Sequence, residues 1–216
     1  MKNFVITIRE NEKSVASATK CIESGARYGM DIDYYEATTP NNSDVRLLLE
    51  EYGIPETGFN EVYSRLDNCI AAFLSHLSLW QMSAETNEEV TIFEHDAIIM
   101  EPIPNVEHNG CISFGKPSYG KFNTPLGLGR NKLVSKQYFP GAHAYRVRPN
   151  AAKILVETAK TEARPTDVYL HNGRFPFLEE YYPWPVEVRE WFSTIQKEQG
   201  CLAKHMFNHT YKLEKV

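Results

Sequence analysis

The segment Thr91-Ile92-Phe93-Glu94-His95-Asp96 holds the densest chemistry in this chain. Two carboxylates, one residue apart, follow an apolar run. In open α/β sheets, ligands gather beyond the carboxyl ends of strands, so acids placed there face a crevice. Glu94 and Asp96 could together hold a divalent cation, Mn2+ or Mg2+, and such an ion neutralises a diphosphate. A reaction that expels a nucleoside diphosphate needs this, because charge develops on the departing phosphate. The plainer alternative is an acidic turn closing a strand, since acid-x-Asp triplets are common. His95 is the middle residue, and on an extended backbone its side chain points away from both neighbours.

Transfer to a hydroxyl also needs a base. Asp167, in Pro165-Thr166-Asp167, is the candidate, with a helix N-cap as its structural alternative. Glu179 and Glu180 are fallback bases, or else a solvated acidic face. His171 lies four residues after Asp167, so on a helix the two would share a face, as part of a metal shell or as a surface pair. His205 and His209 have helical spacing but no adjacent Glu and no third ligand, and read as tail residues. Trp184 and Trp191, with Tyr181 and Tyr182, could stack on a sugar or pack a core.

The elements that must position these groups follow from periodicity. Phe4 to Ile8 reads as a buried first strand. Ser14 is placed to cap a helix that carries Val15, Ala18 and Ile22 on one face. Asp33 to Glu36 reads as a second strand, and strand–helix–strand opens a Rossmann-like half. Ser64 to about Ser83 is the clearest helix, with Leu66, Ile70, Phe73, Leu74, Leu77 and Trp80 at helical spacing and an approximate Ser64/Asp67 capping box. Val90 to Phe93 has the look of a central strand covered on both faces. Cys111–Phe114 and Ala144–Val147 are further strands, and Pro149-Asn150 starts a helix. Between them Gly115 to Gly129, with four Gly and two Pro, is a long loop of the kind that often carries function. The chain beyond Pro165 gives no clear pattern.

Composition narrows the classes. The 216 residues fit one domain spanning 1–216, with about 197–216 as a C-terminal extension. A net charge of −5 speaks against a nucleic-acid binder. Cys21, Cys69, Cys111 and Cys201 form no C-x-x-C pair, which argues against a thiolate zinc site, and Cys69 and Cys111 read as buried. No apolar run is long enough for a transmembrane segment, so a cytoplasmic protein, at most peripheral to a membrane, is expected.

An ordered set of residues then resembles glycosyltransferase family 25, which includes lipooligosaccharide and collagen galactosyltransferases. The set runs through the opening strand Phe4-Val5-Ile6-Thr7-Ile8, a helix with Cys69, Ser75-His76-Leu77 and Trp80, and Glu94-His95-Asp96 in the place of Glu-Asp-Asp. It continues with Gly141 to Tyr145, Ala151 to Leu155, Pro165-Thr166-Asp167 and Ser193, covering roughly residues 3 to 196. The resemblance implies an α/β, GT-A type Rossmann-like nucleotide-sugar-binding domain with a mixed sheet flanked by helices. It implies transfer of a hexose, galactose above all, from a UDP-sugar donor to a glycan or lipid-linked saccharide acceptor, with a manganese or magnesium ion and inversion. By position it gives Asp96 and Glu94 to the metal, with Thr7, Arg9, Ser75, His76 and Glu94 on the donor side and Asp167 as base. This chain departs from the family at His95, at the single Arg9 after the first strand, and at Leu66-Asp67-Asn68 before the Cys. A catalytically degenerate nucleotide-sugar-binding domain is the alternative these departures leave.

Overall fold

β1, Lys2–Thr7, is built on strict alternation: Val5 faces one side of a sheet and Ile6 the other. In the computed structural model, which describes residues 1–59, 64–140, 142–189, 192–195 and 212–213, this strand lies inside a seven-stranded sheet. β1 pairs in parallel with β2, Asp33–Glu36, on one edge and with β3, Val90–Glu94, on the other. Beyond β3 the order continues through β7 (Ala144–Val147), β5 (Cys111–Ser113), β8 (Leu178–Tyr182) and β6 (Gly129–Lys132). β7 runs antiparallel to both β3 and β5, so the sheet is mixed, as expected. β4, Ala97–Ile99, leaves the main sheet and pairs antiparallel with β9, Val186–Val188.

The alternation along β1, β3, β5 and β7 divides the core in two. Ile6, Ile92, Tyr145 and Cys111 pack beneath α3, Leu66–Thr86, and α4, Pro149–Glu162. Val5, Phe93, Ala144 and Ile112 pack on the other face with Ala18 and Cys21 of α1, Glu12–Ala26. α3 is buried over much of its circumference, including Cys69, Phe73, Leu77 and Trp80. Its expected capping box does not form: the N-cap is Arg65, with no side-chain capping bond, and Asp67 is ion-paired to Arg46 from α2, Val45–Glu51. At α1 the cap is Asn11, whose side chain accepts from the Ser14 amide at 3.0 Å, so Ser14 sits inside the first turn. α4 starts at Pro149 as read from the sequence, where proline's missing amide costs nothing.

Past Pro165, where the sequence pattern is silent, the chain makes α5, Thr166–Tyr169, then β8 and β9, and later β10 (Phe192–Ser193) paired with β11 (Lys212–Leu213). Gly141, Trp191, Cys201, His205 and His209, and nearly all of 197–216, lie outside the described residues.

Candidate functional site

The chain leaves β1 through α1 to reach β2 on one side, then returns by α2 and α3 to β3 on the other. The strand order therefore reverses at β1, and a crevice opens at the carboxyl ends of the strands there. A cleft of about 210 Å³ occupies that position. Ser75 and His76 of α3, Glu94 of β3 and the following His95 and Asp96 all line it. Glu94, His95 and Asp96 share the cleft because the chain turns at His95–Asp96 and does not stay extended. The expectation that His95 points away from its neighbours is corrected by that turn.

A hydrogen-bonded chain supports Glu94 from beneath. Trp80 Nε1 donates to the Tyr145 hydroxyl at 2.9 Å. Tyr145 then has its own proton for His76 Nδ1, 2.8 Å away. That leaves the other ring nitrogen, Nε2, as the donor toward Glu94 Oε1 at 3.3 Å. Trp80, Tyr145 and His76 are all buried, while the Glu94 side chain is 35% exposed where it meets the cleft. Burial pushes the Glu94 carboxyl up, but the His76 bond and the electrostatic influence of His76, His143 and His95 outweigh it and hold the group below the usual carboxylate range. Ser75 works differently: its hydroxyl accepts from the Thr38 amide at 2.9 Å and donates to the Ala71 carbonyl, fixing the loop after β2 that forms one lip of the cleft.

The opposite wall comes from the C-terminal segment. Phe192 stacks on His95, with ring centres 5.2 Å apart and planes 4° from parallel. The Arg65 amide donates to the Ile195 carbonyl at 2.7 Å and ties this segment to the start of α3. His95 Nδ1 also lies 3.1 Å from the Ser14 hydroxyl. The imidazole that replaces the middle acid thus joins α1, the turn after β3 and the far wall.

Thr7 and Arg9 do not reach the cleft. Alternation sends Ile6 and Ile8 there instead, the Thr7 hydroxyl donates back to the Val5 carbonyl, and Arg9 stacks on Tyr34 at 4.5 Å. Asp167 also stands outside the cleft lining. It is not an N-cap, a place that Pro165 takes. Tyr119 donates its hydroxyl to Asp167 Oδ2, and the Val168 amide donates to Oδ1 at 2.9 Å. Burial raises the Asp167 carboxyl above its ordinary range against these bonds, and the charge of Glu94 raises it further. Glu179 and Glu180 are no solvated face: they are 5% and 1% exposed. Glu180 accepts from the Val134 and Ser135 amides and from Trp184 Nε1, and Glu179 from Asn109. α5 stops at Tyr169, so Asp167 and His171 share no helical face, and His171 Nδ1 accepts from the Gly173 amide within its own turn. Cys69 and Cys111 are buried as free thiols, in agreement with the sequence, and so is Cys21.

Sequence reasoning had Tyr145 only as the end of a family motif and not as the partner of His76, 69 residues away, and it missed the Thr38–Pro40 lip. For the lip a signal was available in Thr38-Thr39-Pro40 directly after the second strand.

The model of one sequence family matches residues 1–109, a stretch that carries β1 to β4 and the cleft residues Ser75, His76, Glu94, His95 and Asp96, and it makes the chain a glycosyltransferase, with a sugar donor and an acceptor. The chain belongs to glycosyltransferase family 25 (LPS biosynthesis protein). Its mixed sheet with helices on both faces is the GT-A type arrangement that the sequence resemblance implied. No curated protein matches it. Among solved structures, it is similar to a glycosyltransferase involved in the glycosylation of the major capsid of PBCV-1, at 12% identity and a TM-score of 0.36, over 76% of this chain and 68% of that one. Mouse xyloside xylosyltransferase 1 gives 10% identity and a TM-score of 0.41, over 82% and 83% of the two chains. The CTP:phosphocholine cytidylyltransferase LicC from Streptococcus pneumoniae gives 13% and 0.36, over 86% and 91%. Likenesses this loose say nothing of donor or acceptor. Among the described residues no helix is long and apolar enough to cross a membrane.

Proposed function

We propose that the chain transfers a hexose, galactose by the family resemblance, from a UDP-sugar to a glycan or lipid-linked saccharide, with inversion at the anomeric carbon. The observation that carries this reading is the cleft at the strand-order reversal, where the family's Ser75-His76 pair meets Glu94 and Asp96. In the reaction, an acceptor hydroxyl oxygen bonds to the anomeric carbon as the bond from that carbon to the diphosphate breaks. UDP leaves with the electron pair, and the hydroxyl proton passes to a base.

Asp96 and Glu94 are the residues that would hold Mn2+ or Mg2+, which when bound neutralises the departing diphosphate. Among the described residues no group of three or more His, Cys, Asp or Glu forms a ready cage. Two carboxylates suit an ion of this kind, which takes its remaining ligands from substrate phosphates and water. His76, held by Tyr145, keeps the Glu94 carboxylate ionised and oriented toward the cleft. Asp167 is the proposed base. Its raised pKa suits proton uptake, and an acceptor hydroxyl would take the place that the Tyr119 hydroxyl now fills at Oδ2. A single acting domain is part of this reading, and it is supported by β8 and β9, which pair with β5 and β4.

The test is titration calorimetry of UDP with and without manganese, on the wild type and on Asp96→Ala. Manganese-dependent binding that disappears in Asp96→Ala is the expected result. Absence of UDP binding under every metal condition would remove this reading. Binding without turnover on any donor would instead favour a degenerate nucleotide-sugar domain, a reading that the Phe192-stacked His95 in the acid's place supports.

A further inference from the structure

The loop from Gly115 to Gly129 folds against the segment after β6 and borders a second, open cavity, of about 320 Å³, that shares no lining residue with the donor cleft. Lys121, Phe122, Lys136 and Tyr138 give it its character. The Lys136 ammonium lies over two rings, 4.6 Å from the centre of Tyr119 and 5.4 Å from that of Tyr138. Phe122 meets Trp184 edge-on at 5.6 Å and extends the aromatic wall. Among the described residues, neither Lys121 nor Lys136 has a carboxylate as ion-pair partner.

Two ammonium groups with unused donors, beside aromatic faces, select a particular ligand chemistry. Ring faces pack against the C–H faces of a sugar, and ammonium groups take an anionic substituent. Lys136 links the cavity to the proposed base: its ammonium lies over Tyr119, the residue that donates to Asp167. Burial lowers the Lys136 pKa and the charge of Asp167 opposes that, so the cation is partly stripped of water and gains from an anionic partner. We infer that this cavity is the acceptor subsite, and that the acceptor is a saccharide carrying a phosphate or carboxylate group near the hydroxyl that receives the sugar.

This inference rests on the reading of the chain as a sugar transferase that uses Asp167, but its test needs no turnover. Galactose, galacturonic acid, galactose 6-phosphate and inorganic phosphate are titrated at low salt into the wild type, Lys136→Met, Lys121→Met and the double variant. Circular dichroism and manganese–UDP binding serve as controls of fold and donor site. The expected result is at least tenfold tighter binding of one or both acidic sugars than of galactose, lost in the double variant, with UDP affinity unchanged. The two acidic sugars separate a phosphate from a carboxylate preference. Equal binding of galactose and the acidic sugars overturns the inference, and so does acidic-sugar binding that survives in the double variant. Inorganic phosphate binding as tightly as galactose 6-phosphate also overturns it, since that marks an anion site without sugar recognition. A fall in UDP affinity in Lys136→Met would assign the lysine to the donor and overturn it as well. Wild type that binds acidic sugars here but never binds UDP shows an acidic-sugar site, yet removes the donor-cleft reading and with it the assignment of this cavity to an acceptor.

Discussion

Glu94 and Asp167 are two carboxyls that their surroundings drive apart. Glu94 is desolvated, yet His76 and the neighbouring imidazoles hold its pKa down, whereas Asp167 is desolvated and repelled by Glu94, so its pKa is raised. The signs follow from linkage. The depressed group contributes stability above the ordinary Glu value of about 4.3, and loses it as pH falls through the lower folded value. The raised group contributes stability below the ordinary Asp value of about 3.9, and loses it as pH climbs through the higher folded value. Asp167→Asn should therefore gain stability relative to wild type as pH goes from about 4 to 7. Its turnover should fall by roughly 10²–10⁴-fold, the range expected for loss of a general base. Urea midpoints at the two pH values and product assays check both halves, and an unchanged turnover would remove Asp167 from the base role. At this scale the sequence was partly legible. The ordered motif led to Ser75, His76, Glu94 and Asp96, and all four line the cleft. Thr7 is absent from the cleft lining, and the strand's period of two assigns that side to Ile6 and Ile8. Tyr145 was invisible as a site residue because its role comes from a contact between distant segments.

The elements that carry the site are those with the strongest patterns. β3 is mostly apolar up to Glu94 and α3 is apolar over most of its turns, and both were readable without a structure. β4, β6 and β9 are three or four residues long, and β8 opens with Leu178-Glu179-Glu180, so their pairing depends on partners far along the chain. The burial of Glu180 shows why the pattern misled: backbone amides of Val134 and Ser135 supply the partners that make a buried acid tolerable. One small element has no slack. The 3-10 turn Glu56–Phe59 brings Gly58 so close to the end of α4 that an added Cβ would stand 1.6 Å from the Ala163 carbonyl oxygen. Phe59, next to it, packs edge-on against Phe73 of α3 at 5.3 Å. Gly58→Ala should thus lower unfolding stability by about 1–3 kcal/mol or more, the usual range for overpacking, as read by urea denaturation. A loss under about 0.5 kcal/mol would mean that the turn moves away freely.

The whole molecule depends on pairings that join its two halves. β3 takes its second edge from β7, β4 takes its partner from β9, and β8 inserts between β5 and β6. The family match over residues 1–109 therefore stops short of the strands that complete the sheet. A fragment of residues 1–109 should show no cooperative urea transition, where the full chain unfolds in one; a sharp transition in the fragment would show that the first half holds its own core. The same interlacing shapes the time the chain spends being made. β4 is complete at Ile99, but its partner ends at Val188, so at synthesis rates of about 5–20 residues per second it waits roughly 5–20 seconds. For that interval the nascent first half displays unpaired strand edges and the apolar faces of α1 and α3, and a folding helper in the cell would find its binding surface there.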